Sequence, residues 1–240
     1  LAGGSRRWNS SADYCTWMGI TCNADGSVML IDTLSCSQPV AQAAPSFDIP
    51  ASICNLRNMA GLDMSCTNAQ SVPDCFSTLP LVELTFFNCS FTSVPAAICN
   101  ISSLQLVNFG SNFVASLPEC IGALLALRKL YFDNNFVTVL PASFAQLTNL
   151  VELVVSDNPL GVLPDFIGNL PNLEHIQAAN CSLQALHASM ANLKKLTFLG
   201  VSRNNLSEIP DLSACTELNT LAADKNRLTT LPPWFASATS

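Results

Sequence analysis

The amino-acid sequence predicts an α/β repeat solenoid, in which short parallel strands from successive turns stack into one curved sheet. Three observations support this prediction. A motif recurs every 22 or 23 residues, its apolar residues alternate as in a strand, and a proline keeps a fixed place in the repeat. Internal repeats of about 20 to 50 residues are characteristic of solenoids, because one unit is too small to bury a core alone.

The repeat is defined by the pattern L-x-L-x-x-(N/C/T), whose last position is called the column residue here. The column residues are Thr67, Cys89, Asn112, Asn135, Asn158, Cys181, Asn204 and Asn226. An aliphatic residue follows five positions later, and proline comes next in every turn but one. The residues at this last position are Pro73, Pro95, Pro118, Pro141, Pro164, His187, Pro210 and Pro232. A helical-hairpin solenoid is disfavoured, because the phased proline would interrupt its helices.

The pattern also predicts which side chains enter the core. L-x-L has strand periodicity, so in one turn Leu153 and Val155 point inward while Val154 points outward. The column asparagine stands where the chain leaves the strand, and its amide can both donate to and accept from backbone groups of adjacent turns. Those groups would be costly to bury unpaired. Proline lacks an N–H and therefore fits an irregular opposite side.

This pattern resembles the leucine-rich repeat family, whose unit is L-x-x-L-x-L-x-x-N/C-x-L. One clear copy runs through Leu147, Leu150, Leu153, Val155, Asn158, Leu160, Leu163, Pro164 and Ile167. The resemblance covers roughly residues 28 to 235. It implies a leucine-rich repeat solenoid with a parallel sheet on the concave face and irregular, 3-10 or short helical segments on the convex side.

Residues 8–36 depart from the repeat and contain the string Cys15-Thr-Trp17-Met-Gly19-Ile20-Thr-Cys22. This string resembles the N-terminal cap of plant-type extracellular leucine-rich repeat proteins, which include receptor-kinase ectodomains and polygalacturonase-inhibiting proteins. Related caps occur on surface antigens of trypanosomatid protists. The resemblance implies a Cys15–Cys22 disulfide, with Trp17 covering the end of the core. The alternatives are a coincidental cysteine pair or a metal site, which would need two more ligands.

The repeats lack the L-S-G-x-I-P segment typical of plant receptors and instead read L-P-x-x-I-x-x-L, so a protist-type surface protein stays open as an alternative. We expect the cap to span residues 1–36 and about eight repeats to fill residues 37–240. The chain starts at Leu1 without a methionine, and its last turn carries no cysteine cap. We therefore expect a processed piece of a longer product, with the C-terminal end of the array truncated.

Two cysteine pairs share one spacing. Cys54 and Cys75 are 21 residues apart, as are Cys99 and Cys120, and each pair falls on adjacent turns. Adjacent strands lie about 4.8 Å apart, which is compatible with the Cα separation of a disulfide. The register therefore predicts the disulfides Cys54–Cys75 and Cys99–Cys120.

The remaining cysteines are expected to form one more disulfide and to leave three thiols free. Cys36 and Cys66 lie at or beside the column on adjacent turns and are a further candidate pair, Cys36–Cys66. Cys89, Cys181 and Cys215 occupy inward positions and are expected to be free. Eleven cysteines in 240 residues are typical of an oxidising compartment, so the sequence predicts an extracellular or cell-surface location reached through the secretory pathway.

The composition indicates attached sugar and argues against nucleic acid. Charged residues make up only 11% of the chain, and the formal net charge is -7. Ten scattered cations cannot build the basic stripe that a nucleic acid requires. Five N-x-(S/T) acceptors are candidates for N-glycosylation, and sugars on them would keep a charge-poor surface in solution. These candidates are Asn9, Asn88, Asn100, Asn180 and Asn205.

The sequence predicts no catalysis, metal site or cofactor, because it contains no H-E-x-x-H, G-x-S-x-G, phosphate loop or EF-hand pattern. No run approaches the roughly 20 apolar residues of a transmembrane helix. The register instead places outward side chains six, four and two positions before each column residue. The candidate ligand-binding residues among them are Glu83, Phe87, Leu106, Lys129, Tyr131, Asp133, Glu152, Val154, His175, Gln177 and Phe198.

Apolar and aromatic side chains ringed by charges are typical of a binding interface, although scattered surface hydrophobes also need no function. The sequence thus favours a non-enzymatic extracellular recognition module that binds a protein, peptide or glycan on the concave face. The alternative is a structural or cell-surface coat glycoprotein, in which the array is a spacer or a self-assembling scaffold and copies of the chain associate with one another.

Overall fold

The structure, a computed structural model, describes Cys15, residues 19–32 and 46–230, Pro232 and Trp234. The strands in these residues are β1 (Ile20–Cys22), β2 (Val28–Asp32), β3 (Phe47–Asp48), β4 (Gly61–Asp63), β5 (Ala69–Ser71), β6 (Glu83–Thr85), β7 (Leu106–Asn108), β8 (Lys129–Tyr131), β9 (Glu152–Val154), β10 (His175–Gln177), β11 (Phe198–Gly200) and β12 (Thr220–Ala222). Ten of them form one sheet in the order β1-β2-β4-β6-β7-β8-β9-β10-β11-β12, and β3 pairs with β5 in a second, two-stranded sheet.

The large sheet stacks equivalent positions of successive repeats. Leu130 of β8 pairs with Leu153 of β9, which pairs with Ile176 of β10, and all three side chains are fully buried. Every pair from β2 to β12 in this sheet is parallel, and only β1 runs antiparallel, to β2. Parallel stacking of repeats in register confirms the predicted solenoid. The parallel part of the sheet begins at β2, inside the segment expected to form the cap.

Short 3-10 helices lie on the opposite side of the array. They span Ala51–Asn55, Asp74–Thr78, Ala96–Asn100, Glu119–Ala123, Ala142–Gln146, Asp165–Asn169 and Ala188–Asn192. Six of the seven follow a phased proline in extended conformation, because proline fixes φ and needs no partner for an N–H. His187 takes this place before the seventh, with φ -73° and ψ 146°, and its Nδ1 accepts a hydrogen bond from the Ser189 N–H at 3.1 Å.

The core between the two sides is continuous, and its middle turns are filled by phenylalanines. Phe86 packs against Phe91 at 4.6 Å and against Phe109 at 5.3 Å between ring centroids. Phe109 also contacts Phe91 at 5.2 Å and stacks on Phe132 at 6.2 Å. All four side chains are fully buried, so they join three consecutive turns into one apolar cluster.

The column asparagines bind the backbone as the sequence predicts. The amide Nδ2 of Asn158 donates to the carbonyls of Phe132 (2.8 Å), Val155 (3.0 Å) and Ser156 (3.1 Å). Its Oδ1 accepts from the N–H of Val137 in the preceding turn at 2.8 Å. Asn112 and Asn135 repeat this arrangement. One buried amide therefore satisfies four backbone groups of two turns.

Where cysteine replaces asparagine in the column, the preceding turn supplies the missing acceptor. The Cys181 thiol donates to Val155 O at 3.2 Å but does not accept from the preceding turn, and the N–H of Leu160 instead bonds to Asn158 O at 2.9 Å. Burial raises the pKa of Cys181 to about 11, which keeps the thiol protonated as a donor at neutral pH. Cys89, Cys181 and Cys215 are buried and free, as predicted.

Disulfides join the cap and the first turns. The structure contains Cys15–Cys22, Cys54–Cys75 and Cys99–Cys120, with Cα separations of 5.6, 6.0 and 5.6 Å. These are the pairing implied by the cap resemblance and the two pairings derived from the repeat register. Cys66 is disulfide-bonded, and its predicted partner Cys36 lies outside the described residues, as do Trp17 and Asn9.

Candidate ligand-binding surface

The solvent-facing side of the large sheet, called the concave face here, carries all eleven predicted ligand-binding residues. Strand pairing sets Glu83, Leu106, Lys129, Glu152, His175 and Phe198 side by side in one row. A second row contains Tyr131, Val154 and Gln177. Phe87 and Asp133 stand two residues before their column positions. The structure thus brings these residues together on one surface, and their role in binding stays a prediction.

A charged group lies at the centre of this surface. Lys129 Nζ is 3.6 Å from Glu152 Oε2, and both side chains are partly exposed. Tyr131 lies next to them, and its pKa is raised first by burial and then by its hydrogen bond to the Glu152 carboxylate. An exposed ion pair of this kind contributes little to stability. The pair therefore lies beside a half-buried tyrosine without contributing much to holding the fold.

Gly110 lets three side chains pack closely together next to this group. A Cβ at position 110 would lie 2.8 Å from Asp133 Oδ1, 3.0 Å from Phe87 Cδ2 and 3.2 Å from Asn108 Oδ1. The three side chains therefore close over the glycine and bring an aromatic edge, an amide and a carboxylate together. Burial raises the pKa of Asp133, and the nearby Asp157 carboxylate raises it further. A partly desolvated carboxylate of this kind favours a cationic partner.

The aromatic side chains of the concave face lie against their neighbours and do not project freely. The rings of His175 and Phe198 stack at 4.3 Å with an interplanar angle of 4°. Phe198 also leans over Gly200, where a Cβ would lie 2.8 Å from its Cε1. Phe87, Leu106, Tyr131, Val154 and Phe198 are all half-buried. The surface is therefore fairly flat and preformed, which reduces the entropic cost of binding a ligand.

Replacement of Asp133 by asparagine is expected to raise the melting temperature at neutral pH. The folded-state pKa of Asp133 lies above that of the unfolded chain, so the ionised carboxylate costs stability above the folded pKa. This cost disappears as the pH falls below the unfolded value of about 3.9. Thermal melts of Asp133→Asn and wild type should therefore differ at pH 7 and coincide in acid.

Asp211→Asn is the matched control for this measurement. Hydrogen bonds from Ser213 lower the pKa of Asp211, so its carboxylate adds stability above the unfolded pKa and loses that contribution in acid. The asparagine variant is then expected to be less stable than wild type at pH 7. Changes of the melting temperature at pH 7 in the same direction in both variants would contradict the assignment of Asp133 as a desolvated acid.

The most exposed aromatic pair lies outside the concave face. Phe113 and Phe136 are 54% and 55% exposed, and their rings stack at 6.4 Å. Each follows a column asparagine, so the pair lies at the edge of the array where the strand ends. The signal was present in the sequence as Asn-Phe in two consecutive repeats, because the position after the column points outward and the next one, as at Val114, points inward.

The exposed pair belongs to a groove that crosses several turns. The groove is lined by Asn88, Ser111, Asn112, Phe113, Asn134, Asn135, Phe136, Asp157 and Asn180. Five of these residues directly precede a column residue and have left-handed backbone with φ between 52° and 55°: Asn88, Ser111, Asn134, Asp157 and Asn180. They form a ladder of short polar side chains beside the phenyl rings. Asparagine and aspartate tolerate this conformation better than most residues.

The predicted glycosylation sites are distributed over three regions. Asn88 and Asn180 are exposed in the groove, and Asn100 is exposed at the end of the 3-10 helix Ala96–Asn100. Asn205 is half-buried. Within the described residues no group of three or more His, Cys, Asp or Glu side chains could hold a metal ion. The same part of the chain includes no helix of the length and hydropathy that a membrane span needs.

The repeat, the fold and the column define a class of protein. Residues 107–221 match the family described as a leucine-rich repeat region. The parallel sheet and the asparagine column extend the same architecture toward both ends of the described residues. The described residues fold as a leucine-rich repeat solenoid, and residues 107–221 are a leucine-rich repeat region. No curated protein sequence is significantly similar to it.

Solved structures from plants and from bacteria share this fold. The leucine-rich repeat ectodomain of the plant membrane receptor kinase GASSHO1/SCHENGEN3 from Arabidopsis thaliana is 26% identical, with a TM-score of 0.79 over 97% of this chain and 29% of that one. The plant peptide hormone receptor RGFR1 is 29% identical, with a TM-score of 0.71 over 88% of this chain and 34% of that one. A leucine-rich repeat protein of Leptospira interrogans is 27% identical, with a TM-score of 0.63 over 77% and 54%.

These matches confirm the predicted resemblance to leucine-rich repeat proteins of the plant receptor type. The chain spans only part of each neighbour, 54% of the bacterial protein and 29% to 34% of the plant ectodomains. The resemblance of the cap to those of polygalacturonase-inhibiting proteins and protist antigens stays a prediction.

Proposed function

We propose that this chain is a non-enzymatic extracellular recognition module that binds a peptide, or a peptide segment of a protein, on its concave face. The observation that carries the proposal is the cluster of Phe87, Asn108 and Asp133 around Gly110, with Tyr131 beside it. It combines apolar area, hydrogen-bonding groups and a partly desolvated carboxylate on a preformed surface. Tyrosine is among the residues enriched in interface hot spots.

The neighbours support a peptide over the other ligands that the sequence leaves open. RGFR1 is described as a peptide hormone receptor in complex with RGF2, and the GASSHO1/SCHENGEN3 ectodomain was solved in complex with CASPARIAN STRIP INTEGRITY FACTOR 2. In the present chain the net charge of -7 and the raised pKa of Asp133 favour a ligand with a basic side chain next to an apolar one. A glycan would offer no basic side chain.

The extracellular location in this proposal is supported by the disulfides of the described residues. The disulfides Cys54–Cys75 and Cys99–Cys120 persist in an oxidising environment and are rare in the cytosol. The coat-glycoprotein alternative has the array as a spacer or a self-assembling scaffold. The scaffold form requires contacts between copies of the chain, and the exposed Phe113 and Phe136 are the surface that favours it.

The double variant Phe87→Ala/Tyr131→Ala is expected to weaken peptide binding at least about tenfold, or about 1.4 kcal/mol, because hot-spot residues each contribute more than about 1 kcal/mol. The probes are peptides selected from a random display library on the wild-type chain, and affinity is measured by calorimetry. We expect the selected peptides to share a basic residue next to an apolar one, and Asp133→Asn to weaken their binding as well.

The control variant is Leu125→Ala/Val139→Ala. It removes two exposed apolar side chains, 56% and 67% accessible, that lie outside the strands of the concave face. We expect it to bind like wild type, and the melting temperatures of both variants to stay close to that of the parent. Selected peptides that bind the Phe87→Ala/Tyr131→Ala protein with unchanged affinity would refute the assignment of the concave face.

A further inference from the structure

The groove at the strand-exit edge exposes apolar surface that the fold does not cover. The Phe113 and Phe136 rings are parallel within 12° and more than half accessible. Nothing in the core requires aromatic residues there, because the next residue inward in each turn, Val114 or Val137, is already fully packed. Contiguous exposed apolar groups of this kind mark a surface that something else covers.

A glycosylation acceptor stands at each end of the same groove. Asn88 begins Asn88-Cys89-Ser90, Asn180 begins Asn180-Cys181-Ser182, and both side chains line the groove and are exposed. They are four turns apart along the polar ladder, a distance of about 19 Å. Phe113 lies one turn from Asn88, and Phe136 lies two turns from Asn180. Both rings are therefore within reach of a sugar attached at either end.

We propose that N-linked sugars on Asn88 and Asn180 lie along the groove and cover the Phe113–Phe136 pair. The apolar faces of the sugar rings would pack on the phenyl groups, while their hydroxyls would meet the side chains of Ser111, Asn134 and Asp157. The proposal rests on the extracellular location in the proposed function, but not on ligand binding by the concave face.

The modification is compatible with the contacts of both asparagines. A lipid-linked oligosaccharide pyrophosphate is the donor. Its C1–O bond to the pyrophosphate breaks, a C1–N bond forms to the asparagine Nδ2, that nitrogen loses one proton, and the lipid pyrophosphate leaves. One N–H remains on each Nδ2. Asn88 can then keep its hydrogen bond to Cys66 Sγ (3.3 Å), and Asn180 its bond to Asp157 Oδ1 (2.7 Å).

The retained hydrogen bonds would hold each attachment point in the groove. Asp157 lies between Asn180 and the phenyl rings along the ladder, so its bond to Asn180 keeps the amide nitrogen on that side. A tethered sugar has a high effective concentration at the neighbouring surface, so even weak ring contacts suffice to keep it there. A second copy of the chain would have to bury the polar ladder as well as the two rings, and it has no such tether.

The test is hydroxyl-radical footprinting of the chain secreted from a eukaryotic host, with glycan occupancy read from intact mass and peptide mapping. The variant Ser90→Ala/Ser182→Ala removes both groove acceptors and leaves both asparagines in place. We expect the oxidation of Phe113 and Phe136 to rise at least about threefold in this variant, the change from a mostly covered ring to a half-exposed one. Oxidation of the exposed Val139 should stay the same.

Ser102→Ala is the matched control, because it removes the acceptor at Asn100, which does not line the groove. It should leave the oxidation of both phenylalanines unchanged. Unmodified Asn88 and Asn180 in the secreted protein would overturn the proposal, and so would occupied sites whose removal does not change phenylalanine oxidation. Protection that persists without sugar and grows with protein concentration would assign the groove to a second copy instead. None of these outcomes affects the peptide-binding measurement on the concave face.

Discussion

Asn158→Ala is expected to lower the free energy of unfolding by about 4 kcal/mol, because each buried polar group left without a partner costs about 1–3 kcal/mol. The alanine removes the acceptor of the Val137 N–H and the donor to the carbonyls of Phe132, Val155 and Ser156. The side chain is only 2% exposed, so water does not replace these bonds without opening the turn. Urea denaturation followed by circular dichroism measures the loss.

Two further variants test whether an asparagine of the column contributes more to stability than an exposed asparagine does. Asn149 is exposed, and its Nδ2 donates a hydrogen bond to Leu125 O at 2.8 Å, so Asn149→Ala should cost about 1 kcal/mol or less. The loss of unfolding free energy in Asn158→Cys should lie between the losses in the two alanine variants, since Cys181 shows that a thiol can donate a hydrogen bond in the column. A loss at Asn158 no larger than that at Asn149 would contradict the structural role of the column.

The register of the repeat made much of this architecture predictable. Once the period is known, residues one turn apart become neighbours, and this alone placed Cys54 beside Cys75 and Cys99 beside Cys120. The same argument placed Lys129 beside Glu152 on the concave face. Such predictions need only the period and the spacing of adjacent strands, which all parallel sheets share.

Features that depend on the shape of individual side chains were not predictable in this way. The register did not predict that Phe87 and Phe198 are half-buried, because this depends on Gly110 and Gly200, which leave room for the rings to lean over the sheet. The strand β2 lies in the segment assigned to the cap, although Cys36 already indicated a column position there. Leu30 of β2 pairs with Gly61 of β4, and each stands six residues before a column position.

Phe109→Ala is expected to destabilise the chain by about 3–5 kcal/mol, the cost of removing a fully buried phenylalanine and leaving a cavity. Phe109 is the centre of the aromatic cluster, with ring contacts to Phe86, Phe91 and Phe132. The surrounding turns are held by strand pairing on one side and by the column amides within the turn, so they cannot close around the missing ring. The loss is measured by urea denaturation.

Phe113→Ala is the control, because it removes the same side chain four residues further on, where the ring is 54% exposed and contacts Phe136. It should cost about 1 kcal/mol or less, in the range of a surface aromatic pair. The contrast tests the register itself, since both residues are phenylalanines of one turn and differ only in the direction that the repeat assigns to them. Equal losses at the two positions would mean that the ring of Phe109 is not enclosed by its neighbours, and that the turns do not stack as the strand pairing requires.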